Sequence, residues 1–188
     1  MRLTHETANA LIRLANNVTS KDQTRYHLTF VELKKIDNDH IELAATDGHI
    51  AVWVKIKDTN LAPTLLKTPY YFNRDNAELL KVLVKNSYAW VDFEKFEKDI
   101  KFPNMEQFRI KDTKWTETIY KEKAPPEIVI DRSFTIGLSS KLLGRIEKAF
   151  APTKSSCFKF IFDTRDNGKP ALILGGDGET AVIMPMRV

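Results

Sequence analysis

Apolar positions follow two periods along this chain, and the two periods alternate. After a short strand at 1–3, Ala8, Leu11, Ile12 and Ala15 recur at three- and four-residue spacing, which predicts a helix over 5–17 with Thr4 as its N-cap. The period then shortens to two. Residues 26–34, 41–45 and 50–56 read as strands, with a turn at Asp37-Asn38-Asp39. Ile41, Leu43 and Ala45 alternate with Glu42 and Ala44, so one face of that strand is expected to be buried.

A link holding Pro63 and Pro69 leads to a strand at 70–72 and a helix ending near Lys85, capped by Asn73 or Asp75, with Ala77, Leu80, Leu83 and Val84 inward. Residues 89–93 form a further strand. The stretch 102–126 is mixed and charged, and it fits a linker, an edge strand or an insertion. Regularity returns with a strand near 134–136 and a helix over 139–150, whose inward positions are Leu142, Leu143, Ile146 and Ala149. Strands at 158–162, 171–174 and 180–185 follow, turned at Asp166-Asn167-Gly168 and Gly175-Gly176-Asp177-Gly178. Strand, helix and small antiparallel meander recur at both ends of the chain. The period alone therefore predicts an α+β fold with helices packed on antiparallel sheets.

Composition narrows the class without naming a function. With 43% apolar and 29% charged residues, the chain is globular. No stretch is long enough to span a bilayer, and the first residues read as a helix and not as a signal peptide, so no membrane role and a cytoplasmic setting are expected. The single Cys157 excludes an internal disulfide and reads as a buried, inert thiol. A net charge of +4 is a weak attraction for polyanions.

No catalytic set emerges. His5, His27, His40 and His49 lack metal-ligand spacing, and no Gly-rich phosphate loop precedes a helix. Thr46-Asp47-Gly48 reads first as a turn. No enzyme, cofactor or metal is expected.

Three segments carry a resemblance. Tyr26-His27-Leu28 is followed by Ala44-Ala45-Thr46-Asp47-Gly48-His49-Ile50-Ala51; Phe102-Pro103-Asn104-Met105 comes later; and the chain closes on Val182-Ile183-Met184-Pro185-Met186-Arg187-Val188. In this order they resemble the bacterial DNA polymerase III β sliding clamp, over 1–56, 102–108 and 128–188. The resemblance implies a DNA-clamp-like fold, in which domains of two strand-helix-strand repeats close a ring around duplex DNA. Helices line the hole, sheets form the outside, and a groove takes a short peptide from a polymerase or another partner.

Carried over by position, the groove residues are Thr46, Gly48, His49, Ile50, Ala51, Pro103, Met184, Pro185, Met186 and Arg187. Ile50 stands where the family has Arg, and Ala51 where it has Leu, which puts the usual peptide preference in doubt. Lys141, Arg145 and Lys148 share one helical face, and Arg74, Lys81 and Lys85 share another. Either set suits non-specific contact with double-stranded DNA or an ordinary solvated face.

The chain is about half the usual clamp length. It is either a complete domain followed by half of the next, or a single clamp-like domain with repeats at 1–60 and 128–188. In the favoured second case, 61–127 is a partial repeat or an insertion. Two functions follow: a small, homo-oligomeric processivity clamp, or a peptide-binding clamp mimic that does not encircle DNA.

Overall fold

Thr4 turns the chain from strand to helix, because its hydroxyl accepts the Thr7 amide and caps the first turn. In this computed structural model, which describes residues 1–65, 68–109, 136–150, 158–162, 168–176 and 178–186, β1 (Arg2–Thr4) runs directly into α1 (His5–Asn17). Buried Asp58 fixes the same corner from a distance, accepting from the hydroxyls of Thr4 at 3.2 Å and Thr7 at 2.8 Å.

A meander follows, of β2 (Phe30–Lys35), β3 (His40–Thr46) and β4 (Ile50–Lys57). Next come β5 (Tyr70–Asn73), α2 (Ala77–Lys85), β6 (Trp90–Asp92) and the short β7 (Phe96–Glu97). The last described part holds α3 (Ser140–Ala149), β8 (Lys159–Ile161), β9 (Ala171–Leu174) and β10 (Glu179–Ile183).

Among the described residues all strand pairs are antiparallel, as the short turns imply. Eight strands form one sheet in the order β7-β5-β2-β3-β4-β10-β9-β8, and β1 pairs with β6 in a second, two-stranded sheet. The seam of the large sheet is β4 against β10, where Val182 lies opposite Ala51 and Ile183 opposite Ile50. One face carries Val31, Leu33, Ile41, Leu43, Val52 and Ile183 into the main core beneath the helices. From the helices come Ala8, Leu11 and Leu14 of α1, Leu80 of α2, and Ile146 and Ala149 of α3. The expected α+β, clamp-like arrangement of helices on antiparallel sheets is present.

Three local expectations change. Residues Gln23–Leu28 form a 3-10 turn and not the start of a strand, because the Asp22 carboxylate accepts from the backbone and hydroxyl of Thr24 and Tyr26 packs edge-on against Phe30. Arg74 lies in a 3-10 turn ahead of α2 and not on the helix. Both faces of β3 are covered: Glu42 and Ala44, expected outward to solvent, are 7% and 1% exposed. Cys157, the Asp166-Asn167 turn, Arg187 and most of the predicted 134–136 strand lie outside the described residues.

Candidate groove and basic cleft

The β3–β4 turn is built by its own side chains. The Thr46 hydroxyl donates to the Ile50 carbonyl at 2.7 Å and accepts from the Gly48 amide at 3.0 Å. One Asp47 carboxylate oxygen accepts from the amides of His49 at 2.8 Å and Ile50 at 3.0 Å. Gly48 supplies the positive φ of 93° that closes the turn.

The other Asp47 oxygen pairs with Arg145 of α3. The same guanidinium donates to the carbonyls of Asn17 at 2.7 Å and Val18 at 2.9 Å, where α1 ends. Burial alone would raise the Asp47 carboxyl pKa. The two amides and the Arg145 charge outweigh it and hold the group below the ordinary carboxylate value.

Beyond the turn the strand alternation sorts the expected groove residues. Ile50 points into the main core and is 2% exposed, so where the family has Arg this chain places a core side chain instead of a rim group. Ala51 points to the opposite, outer face. There it joins Ala44, Trp53, Val182 and Met105 in a second apolar cluster, with Phe102 packed at its edge.

A strap carries Met105 to this face. It includes half-buried Pro103 and the 3-10 turn Met105–Gln107. Charge holds it down: Lys34 reaches Glu42 at 3.1 Å and Glu106 at 3.0 Å, while Arg109 pairs with Glu42 and Glu106 and lies 5.3 Å from the Trp53 ring centre. This strap is what buries Glu42 and Ala44.

The chain after β10 continues along the same edge. The Met184 amide donates to the His49 carbonyl at 3.1 Å, and the Met186 amide to Gly137 at 2.8 Å. Met184 and Met186 are 44% and 56% exposed, with half-buried Pro185 between them. His49 and Met184 thus meet across the β4–β10 edge, and Ala51 shares an apolar cluster with Val182, Met105 and Phe102, the neighbour of Pro103 in sequence. Thr46 is buried and engaged within its turn.

Of the helical cations, Lys141, Arg145 and Lys148 line a cleft of about 680 Å³, together with Lys21, Arg25 and His49. It lies between the end of α1, the 19–25 segment, the β3–β4 turn and α3. Arg74, Lys81 and Lys85 are not part of it. Arg74 donates to the Ser20 carbonyl at 3.3 Å, Lys81 pairs with Glu78 at 3.5 Å, and Lys85 is exposed in the last turn of α2. Lys21 and Arg25 escaped sequence reasoning because no helical or strand period links them to α3; their only signal is the Asp22-capped turn they flank.

No family model and no curated protein matches this sequence. Solved structures do. The DNA polymerase III β subunit of Caulobacter crescentus matches with a TM-score of 0.70 at 17% identity, over 100% of this chain and 65% of that one. The sliding clamp of Bartonella birtlesii, bound to griselimycin, matches at 0.65 and 16%, over 100% and 66%. The Thermotoga maritima β subunit matches at 0.67 and 11%, over 100% and 65%.

The fold is that of the sliding clamp. The chain spans about two thirds of the length of the clamps it matches, more than the half its own length implies. Among the described residues no group of three His, Cys, Asp or Glu side chains is placed to hold a metal, and no helix is long and apolar enough to cross a membrane.

Proposed function

We propose that this chain is a non-enzymatic, clamp-fold adaptor that captures a short linear peptide from a partner protein, such as a polymerase, in a cytoplasmic setting. The groove is the outer face of the β4–β10 seam. Its floor is Ala51, Val182 and Met105, its rim is His49, Gly48 and Pro103, and its adaptable walls are Met184 and Met186. The observation that carries this reading is the pair of exposed methionines continuing a buried apolar cluster along one strand edge. Flexible thioethers next to a fixed apolar floor suit peptide side chains.

Within this reading, the described residues 70–92 are a partial repeat. Its β5-α2-β6 order repeats the strand-helix-strand unit, and its strands pair with β2 and β1.

The experiment is fluorescence anisotropy with a labelled peptide carrying Leu and Phe anchors. One fully buried anchor contributes about 1.5–3 kcal/mol, so Met184→Ala or removal of 184–188 should weaken binding about tenfold or more. His49→Ala should have a smaller effect. A truncated chain that stays folded by circular dichroism and binds as tightly as the intact one would remove the groove from consideration.

The second reading, a homo-oligomeric clamp around double-stranded DNA, draws support from the exposed lysines of α2 and α3. Solution mass separates the two. A closed oligomer fits the ring, and a monomer at high concentration fits the adaptor.

A further inference from the structure

The basic cleft has more charge than the fold uses. Five of the 29 Lys and Arg residues and one of the 25 Asp and Glu residues line it, which leaves 24 of each elsewhere. Among the described residues the cleft thus brings together five cations and one carboxylate, Asp47.

Arg145 is committed to Asp47 and the end of α1, and Arg25 lies 4.0 Å from Asp22. Lys21, Lys141 and Lys148 are exposed and make no ion pair among the described residues. Like charges converging on one concavity are unfavourable unless an anion joins them. The first turn of α3, at Ser140 and Lys141, also faces the cleft and adds the positive end of a ten-residue helix.

Size and position select the anion. At about 680 Å³ the cleft has room for a few side chains, and a double helix would reach it only through its backbone phosphates. His49 lines it on one side and bonds Met184 through its carbonyl on the other, so cleft and groove meet across a single turn. A peptide whose apolar anchors lie against Met184 needs only to cross that turn to enter the cleft.

We infer that the cleft of Lys21, Arg25, Lys141 and Lys148 binds an acidic peptide segment, the carboxylate-rich flank of the partner peptide captured in the groove. The partner's identity as a peptide rests on the adaptor reading above; the anion preference rests on the cleft itself.

Three labelled probes test this in the full chain by anisotropy at low and moderate salt: hexaglutamate, the Leu/Phe peptide, and the two joined. Hexaglutamate should bind and should lose about tenfold in Lys21→Ala/Lys141→Ala/Lys148→Ala. It should lose little in Lys57→Ala/Lys95→Ala/Lys101→Ala, which removes the same charge from exposed positions outside the cleft. The joined probe should bind tighter than either part, with the gain shrinking as salt rises.

Equal hexaglutamate binding by the cleft and control variants overturns the inference, and so does a joined probe no tighter than the Leu/Phe peptide. A duplex DNA oligomer that loses more than hexaglutamate does between control and cleft variants also overturns it, because the cleft would then be a phosphate site. Loss of Leu/Phe peptide binding alone strikes the adaptor reading and leaves the hexaglutamate result to stand or fall separately.

Discussion

Replacing Arg145 with Leu keeps most of the side-chain stem and removes every polar contact it makes. Three things are lost at once. The Asp47 carboxylate, whose side chain is 9% exposed, loses its counter-charge, and the last carbonyls of α1 at Asn17 and Val18 lose their donors. A hydrogen bond to a charged group contributes about 1.5–3 kcal/mol, and breaking a fully buried pair costs about 3–5 kcal/mol. Arg145 keeps 27% of its side chain in solvent, so water recovers part of this. The expected cost is about 2–4 kcal/mol, a large share of the roughly 5–15 kcal/mol that stabilises a domain. With a urea slope of about 2 kcal/mol/M, the unfolding midpoint should fall by roughly 1–2 M.

A second arm uses pH. Asp47 has a folded pKa below its unfolded one, so its ionised form adds stability above the ordinary carboxylate value of about 3.9. That stability is lost as pH falls through the depressed folded value. The gap between wild type and Arg145→Leu should accordingly be full at neutral pH and narrow in strong acid. A neutral-pH loss below about 1 kcal/mol, or a gap that widens on acidification, would refute the argument that this ion pair bolts α3 to the first meander.

Two smaller tests follow. Glu32 is pushed up by burial, with Lys34 opposing and Glu42 and Glu106 adding to the rise; its ionised form therefore costs stability above the ordinary glutamate range, and Glu32→Gln should stabilise the fold at neutral pH but not at acid pH, as read by urea midpoints across pH. Gly48→Ala meets nothing closer than an Arg25 nitrogen at 3.8 Å, so its effect isolates the strain of a φ of 93°, about 1–2 kcal/mol and a few degrees of melting temperature; an unchanged melt would contradict that assignment.

The elements the sequence displayed best were those with local causes. Helix α1 and its Thr4 cap, and α3 with Ser139 accepting from Leu142, could be read from spacing because a helix makes its bonds within itself. Tyr26-His27-Leu28 misled because aromatic residues favour strands, while the Asp22 and Thr29 side chains bond the backbone into a turn. The covered outer face of β3 was beyond reach for a different reason. Alternation makes Glu42 and Ala44 a solvent face, and only the distant strap, through Met105, Glu106 and Arg109, turns it into a second core.

The candidate site divides the same way. His49, Met184 and Met186 sit in short motifs and were visible. The turning of Ile50 into the core depends on which face of β4 meets the helices. The cleft joins Lys21 and Arg25 to residues more than a hundred positions away, and no period connects them.

The seam between β4 and β10 gives the molecule a built-in order of events. Strand β4 is made early and can pair with β3 at once, but its other edge, with Val52 and Val54 on the core side, waits for residues 179–183. An emerging chain thus carries an open strand edge, a template for pairing with other chains, until its last described strand arrives. The proposed groove would be incomplete before then, since Val182 is part of its floor. On the adaptor reading proposed above, a partner peptide would engage the chain only once β10 has paired with β4.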